Sequence, residues 1–469
     1  MSLRNTMEHM TLQNISTACG GRYMGDASCM DEEITGVVRD NREVEPGNLF
    51  IAIKGERVDG HSFIEDAFRR GAIAVLSEQE LPDSLGPYIL VSSTTEAMKK
   101  LAAFYRESLS IPVVGITGSV GKTSTKEMIA SVLEQKYKVA KTKGNYNNEI
   151  GLPLTIFQIR REHEVAVLEM GISDFGEMHR LADMAKPNIG VITNIGWCHL
   201  ENLKTQEGIL QAKTEMLSHM SSGGTVILNG DDEKLVTVTP EEGQKLVFYG
   251  ISEKIPETER MKIPQIYATQ VQNLGFDGMR ANIHTPEGDF FVSIAIPGEH
   301  NVYNALAATA VGLSLGLTLS QIQAGIEAAR TIQGRTNLLK VHDMTVIDDC
   351  YNANPVSMKA SIEVLSHAGG RRIAVLGDMG ELGETERQLH NEVGRFVGTH
   401  GIPVLFCAGE LAFEYVKGVQ ETNPECEVHY FPTREEMTRE LVSFVKAGDT
   451  VLIKASHFME FPKVVEALS

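Results

Sequence analysis

Short, almost wholly apolar runs recur along the chain, separated by stretches whose apolar residues return every three or four positions. IPVVGITG (111–118), EVAVLEMGI (164–172), PNIGVITNIG (187–196) and TVILNGDD (225–232) have the pattern of strands buried in a parallel sheet. Helical patterns such as TSTKEMIASVLEQKY separate most of them. The same alternation returns at MTVIDDCY (344–351), RRIAVLGDM (371–379), PVLFCAG (403–409) and DTVLIKAS (449–456), each followed by a helical segment. Before residue 110 the elements are shorter: GNLFIAIKG (47–55), AIAVLSE (72–78) and, between them, the helix HSFIEDAFRRGA closing at Gly71. The stretch 251–297 is rich in strands and turns and predicts a side sheet. The pattern as a whole predicts an α/β protein of three domains. A small α/β domain spans 1–110, a central domain with a mostly parallel sheet spans 111–330, and a Rossmann-like, doubly wound domain spans 331–469.

Residues 301–326 carry no charge, which raises the question of a membrane span. Asn304, Thr309, Ser314, Thr318 and Ser320 interrupt the run and Gly316 divides it, so two short buried helices are expected and no membrane association. Hydrophobic residues make up 42% of the 469 and charged residues 22%, enough for large cores. The net charge of −19 argues against nucleic acid or an anionic membrane as partner, and leaves room for an anionic small molecule in a locally basic pocket. Six cysteines lie at 19, 29, 198, 350, 407 and 426 with no CxxC pair, which fits a reducing cytoplasm better than a disulfide or zinc framework. The segment MSLRNTMEHM lacks the apolar region of a signal peptide.

The strongest chemical signal is VVGITGSVGKTSTKEM (113–128), a buried strand running through a glycine-rich turn into a helix. Such a turn offers backbone N–H groups to phosphates at a helix N-terminus, with Gly118, Ser119, Gly121 and Ser124 forming it. Lys122 is placed to neutralise the β- and γ-phosphates and the Thr123 hydroxyl to meet Mg²⁺. The central domain is therefore expected to be of the P-loop ATPase type, although Gly115 stands six residues before Gly121 and Gly118 three, unlike the generic GxxxxGK[ST] loop. Glu169 ends an apolar strand, where a carboxylate either holds Mg²⁺ or makes an ion pair. His199 after another strand reads, taken singly, as a hydrogen-bonded structural histidine more often than as a ligand, and Lys213 in ILQAKTEML reads by itself as an exposed helix lysine. TKGNYNNEIGLPLT (142–155) is either an amide-lined loop or an ordinary turn. IDDCYNANPVSM (347–358) gathers acids, a tyrosine and amides at a strand-to-helix junction, or simply caps a helix through Asn354 and Pro355.

Together these pieces resemble the Mur ligase family over nearly the whole chain. TGSVGKTS is similar to its TGxxGKT[ST] loop; VLEMG, NIGWCHLENL and AKTEM resemble its metal-centre motifs; GEHNVYNALAA (298–308) resembles its adenine-side segment. GRTN (334–337), DDCYNANPVSMKASI and VLGDMGELG (375–383) resemble its C-terminal signatures, and VVRDNREVEPGNLFIAIKGERVDGH (37–61) its UDP-sugar segment. GNYNNEIGLPLT resembles the segment that marks the branch adding D-alanyl-D-alanine to UDP-N-acetylmuramoyl-tripeptide. The resemblance implies an ATP-dependent, cytoplasmic and monomeric amide ligase of cell-wall precursor synthesis. It implies that Lys122 and Thr123 bind phosphates and Mg²⁺, that Glu169 and His199 are metal ligands, and that Lys213 is carbamylated. It places Asn301 at adenine, Arg335 and Asp349 at the nucleotide, Asn148, Tyr351 and Asn352 at the peptides, and Asp40 and Arg42 at the uridine nucleotide. Two segments depart from the family pattern. Its Asp-Ser-Arg reads Asp40-Asn41-Arg42, and its KGSR reads Lys454-Ala455-Ser456-His457. A regulatory ATPase would use the same loop, and would hydrolyse nucleotide without small-molecule acceptors.

Overall fold

Three sheets, each flanked by helices, organise the chain in the computed structural model, which describes residues 7–55, 58–82, 84–251 and 264–469. The first has five strands in the order Arg22–Met24, Tyr88–Leu90, Ala74–Ser77, Asn48–Ile51 and Gly36–Val38; all neighbours are parallel except the first pair. The third has six strands, ordered Asn337–Val341, Met344–Asp348, Thr450–Lys454, Arg372–Gly377, Val404–Ala408 and Glu427–Phe431, antiparallel only at its first pair. The three-domain α/β architecture expected from the pattern is the one observed.

The central sheet has nine strands among the described residues. Its first six run parallel in the order Val139–Lys141, Val165–Glu169, Val113–Thr117, Ile189–Ile192, Thr225–Asn229 and Lys245–Ile251. The expected side sheet is corrected here. Ile266–Asn273 pairs in parallel with Lys245–Ile251, and Met279–Thr285 and Gly288–Ile294 follow as antiparallel neighbours, so the three strands extend the same sheet. Met279, Ala281 and Ile283, and across from them Phe290, Val292 and Ile294, alternate inward, so this extension buries a single face. Residues 252–263 of that stretch lie outside the described residues.

The uncharged run forms two helices, His300–Ser314 and Leu319–Ala328, turning at Gly316 (φ +70°) with a Thr318–Gln321 capping box. Their apolar residues pack in one core with those of the sheet. Among the described residues no helix is long and apolar enough to cross a membrane. The N-terminal sheet is fixed to the central one through the helix Thr94–Ser108, N-capped by Ser93. From its last turns Tyr105 donates to Ile159 O (2.7 Å) and the buried Arg106 donates to Ala185 O (2.9 Å) and Lys186 O (3.3 Å).

Candidate active site

The strand Val113–Thr117 is fully buried and hands the chain to the turn 118–121, with the helix Lys122–Leu133 starting at once. Gly118 (φ +150°) has no room for a side chain, since a Cβ would stand 1.9 Å from Thr193 Oγ1, and Gly121 (φ +83°) has a left-handed backbone. Asn194 shapes the turn: its carbonyl accepts from Ser119 N (3.0 Å), and its side chain accepts from Val120 N and donates to Val120 O (both 3.0 Å). The buried Ser119 donates to Gly196 O (3.2 Å). The N–H groups of Lys122, Thr123 and Ser124 open the helix without an acceptor in a preceding turn, at the positive end of its dipole. Lys122 Nζ folds back onto Gly118 O (2.8 Å), and burial lowers its pKa from the usual lysine value, against the opposing pull of Glu169.

Glu169 is 2% exposed at the end of the next strand. Its Oε1 accepts from the Thr123 hydroxyl (3.2 Å) and from Asn147 Nδ2 (2.8 Å). Its Oε2 is buried with no hydrogen-bond partner among the described residues, and its nearest cation is the buried Lys126, 3.9 Å away. A buried carboxylate oxygen left open beside a threonine hydroxyl is the donor set a hard cation takes.

Lys213 is 1% exposed, not the surface lysine its local sequence suggests. Burial takes its pKa from 10.5 to about 8; Lys122 adds to the shift and Cys198 opposes it. His199 follows Cys198 with a left-handed backbone (φ +51°), and its Nδ1 stands 2.6 Å from Glu381 Oε2, in the loop that follows the strand Arg372–Gly377 of the C-terminal sheet.

Arg335, just before that sheet, donates to the Thr123 hydroxyl (3.2 Å) and stacks 4.1 Å from the centre of the Tyr351 ring. Asp349, on the same side, lies close enough to the cleft residue His300 to act on it electrostatically. Its carboxylate accepts from Thr336 N (3.1 Å), Lys454 Nζ (2.7 Å) and the Ser361 hydroxyl, in a largely buried ion pair. Lys454 also donates to Asn352 O (3.0 Å), while the Asn352 side chain is exposed and accepts from Ala353 N (2.9 Å). The helix Pro355–Ser366 starts with a capping box of Asn354 and Ser357. His457 lies 6.1 Å from the Tyr351 ring, centre to centre.

A small cleft opens beside the loop helix, with Ser124, Glu127, His300, Asn301 and Arg335 in its wall. Asn301 is buried; it donates to Pro297 O (2.8 Å) and accepts from Asn304 Nδ2 (2.9 Å), and Asn304 in turn accepts from Thr125 of the loop helix (2.7 Å). Asn148 is exposed and accepts from Ile150 N and Gly151 N, so it caps the helix Gly151–Ile156. On the N-terminal sheet Asp40 and Arg42 pair with each other (2.6 Å), which holds the Asp40 carboxyl at about 2. Asn41 donates to Asp66 (2.8 Å).

Residues 33–106 match the Mur ligase family catalytic domain, 116–312 the Mur ligase middle domain, and 334–457 the Mur ligase glutamate ligase domain. The UDP-N-acetylmuramoyl-tripeptide–D-alanyl-D-alanine ligase of Bacillus subtilis is 35% identical over 463 residues, covering 98% of both chains. The chain belongs to the Mur ligase family. This Mur ligase also superposes on MurF from Acinetobacter baumannii with a TM-score of 0.88 at 30% identity, covering 99% of each chain. On the ADP complex of MurF from Thermotoga maritima the TM-score is 0.80 at 30% identity, over 92% of this chain and 96% of that one. The structure thus brings Lys122, Thr123, Glu169 and Arg335 of this Mur ligase together, with Lys213 buried nearby. It separates from them the N-terminal pair Asp40 and Arg42. Lys126 carries no signal that singles it out in the sequence, and Asn194 and Lys454 stand in family-like segments without a role that the pattern assigns them. Asn147 lies in the amide-rich loop, but spacing does not tell which of two adjacent asparagines turns inward.

Proposed function

We propose that this Mur ligase joins D-alanyl-D-alanine to UDP-N-acetylmuramoyl-tripeptide with cleavage of ATP to ADP and phosphate. The observation that carries the reading is the chain Arg335–Thr123–Glu169, which ties the phosphate loop to both the C-terminal side and the neighbouring strand. The name of the full-length Bacillus subtilis relative supports the choice of substrates. ATP lies with its phosphates on the N–H groups of Lys122, Thr123 and Ser124, beside Gly118, Ser119 and Gly121, and with adenine against Asn301. Lys122 leaves Gly118 O for the phosphates. The γ-phosphoryl group passes to the terminal carboxylate of the tripeptide, giving an acyl phosphate. The neutral amine of the dipeptide attacks the acyl carbon, the tetrahedral intermediate expels phosphate, and the nitrogen loses a proton. Arg335 and Lys122 offset charge on the transferring group, which is the main task of the protein in phosphoryl transfer.

The open oxygen of Glu169 and the Thr123 hydroxyl beside it would hold Mg²⁺, with His199 as a further ligand by the family resemblance, and the ion would supply charge neutralisation at the phosphates. Lys213, carbamylated, supports that site. Tyr351, Asn352 and Asn148 face the peptide substrates, and Asp40 and Arg42 the uridine nucleotide. Asp349, paired with Lys454, stands with Arg335 at the nucleotide from the C-terminal side. The enzyme works as a monomer in the cytoplasm, where its free cysteines stay reduced. Phosphate release measured with each substrate omitted in turn tests the reading. It should require ATP, the UDP-tripeptide and the dipeptide together, and equal release without the dipeptide would favour a regulatory ATPase.

A further inference from the structure

Two side-chain-bearing residues with left-handed backbones meet across the boundary between the central and C-terminal sheets. They are His199 (φ +51°) and Glu381 (φ +63°). Residues other than glycine are held in that region only where the surroundings over-determine them. Here they are joined twice. Leu200 N donates to Glu381 O (3.2 Å), and Glu381 Oε2 lies 2.6 Å from His199 Nδ1. That nitrogen is shielded from solvent and has no partner in hydrogen-bond geometry among the described residues, so the carboxylate is the polar group that faces it. A lone pair on Nδ1 would confront an anion at that distance. The geometry therefore puts a hydrogen on Nδ1 and turns Nε2 to the opposite side of the ring, where its lone pair is available to a cation.

We infer that Glu381 is a positioning residue, through which docking of the C-terminal sheet fixes the ring of His199 with Nε2 free for metal ligation. The inference rests on the reading of His199 as a metal ligand. Ligating histidines commonly donate their other ring N–H to a carboxylate, which sets the tautomer and orientation and raises ligand basicity. In this enzyme the carboxylate comes from a loop of the C-terminal sheet and the histidine from a loop of the central one. The ligand is consequently oriented only in the docked arrangement, in which Gly383 also lies against Glu201. Glu381 is 60% exposed at its side chain, so the pair itself contributes little to stability; its effect is on geometry.

The test uses the full-length, ADP-loaded enzyme with Mn²⁺ as the probe, comparing wild type with Glu381→Ala and Glu381→Gln. Removal of an outer-shell carboxylate lowers metal affinity about 10–100-fold in general, so Glu381→Ala should raise the Mn²⁺ Kd at least about tenfold. Glu381→Gln keeps an acceptor and should raise it less. Ring ¹⁵N spectra should show the Nδ1–H tautomer of His199 in wild type and a mixture in Glu381→Ala, with thermal stability unchanged. Wild-type affinity and tautomer in Glu381→Ala would overturn the inference, as would wild-type His199 signals that Mn²⁺ fails to broaden. Should the metal and tautomer results come out as expected while wild type shows no dipeptide-dependent phosphate release, the ligase reading fails and the role of Glu381 stands.

Discussion

Lys213 gives the sharpest prediction, because its burial has a chemical consequence that can be worked out. Carbon dioxide reacts with the neutral amine: an N–C bond forms, the nitrogen loses a proton, and a carbamate of charge −1 results. With the pKa at about 8 instead of 10.5, roughly one amine in four is neutral at pH 7.5, against about one in a thousand for an ordinary lysine. That is a gain of roughly 200-fold in reactive amine. The same shift means that the folded protein binds fewer protons here than the unfolded chain does. The buried ammonium costs about 3 kcal/mol below pH 8, and the cost fades as pH rises from 8 to 10.5. Lys213→Met should therefore be more stable than wild type in carbon-dioxide-free buffer at neutral pH, yet inactive. Lys213→Ala should lose most turnover, and acetate or formate should restore part of it. In wild type, ¹³C-labelled bicarbonate should give a carbamate signal absent from Lys213→Ala and weaker at pH 6 than at pH 8. A fully active Lys213→Ala enzyme, or no such signal in wild type, would refute the reasoning.

Three further outcomes are expected. Lys122→Ala should nearly abolish phosphate release with little change in melting temperature, since it gives up one hydrogen bond to Gly118 O; near-normal turnover would remove the loop assignment. Arg42→Ala should raise KM for the UDP substrate far more than KM for ATP, and an NMR titration should find the Asp40 carboxyl moving up from about 2 toward 3.8; equal changes in both KM values would place Arg42 elsewhere. Lys454→Met strands Asp349 in a buried setting and should cost about 3–5 kcal/mol in denaturant unfolding; a loss under about 1 kcal/mol would show that the pair is not held as described.

The continuous apolar runs are legible as strands because a parallel sheet buries both faces of each strand. Val139–Lys141, Asn337–Val341 and Glu427–Phe431 are not, being short or half-exposed and so lacking such a run. The phosphate loop is legible because its glycines are demanded by backbone geometry. Lys213 misleads on local grounds, although Ile209 stands four before it on the same buried helix face. Glu381 has no local signal. Its partner lies on a loop of another sheet, and long-range pairing leaves no periodicity in a single sequence.

The helix Thr94–Ser108 belongs to two sheets at once. Tyr105 and Arg106 spend their polar atoms on carbonyls of the central sheet's connections, and both side chains are buried there, so parting the two sheets would break these bonds and expose the apolar surface around them together. The N-terminal and central sheets should consequently open as one cooperative unit in native-state hydrogen exchange, with a common free energy and denaturant slope. The C-terminal sheet is joined differently, through the residues around Gly334 and Thr336, both with positive φ, and through contacts such as the half-exposed Glu381. Its amides should exchange through a separate, lower-energy opening, and a protease acting on native enzyme should cut in that connection and release a fragment that retains the phosphate loop.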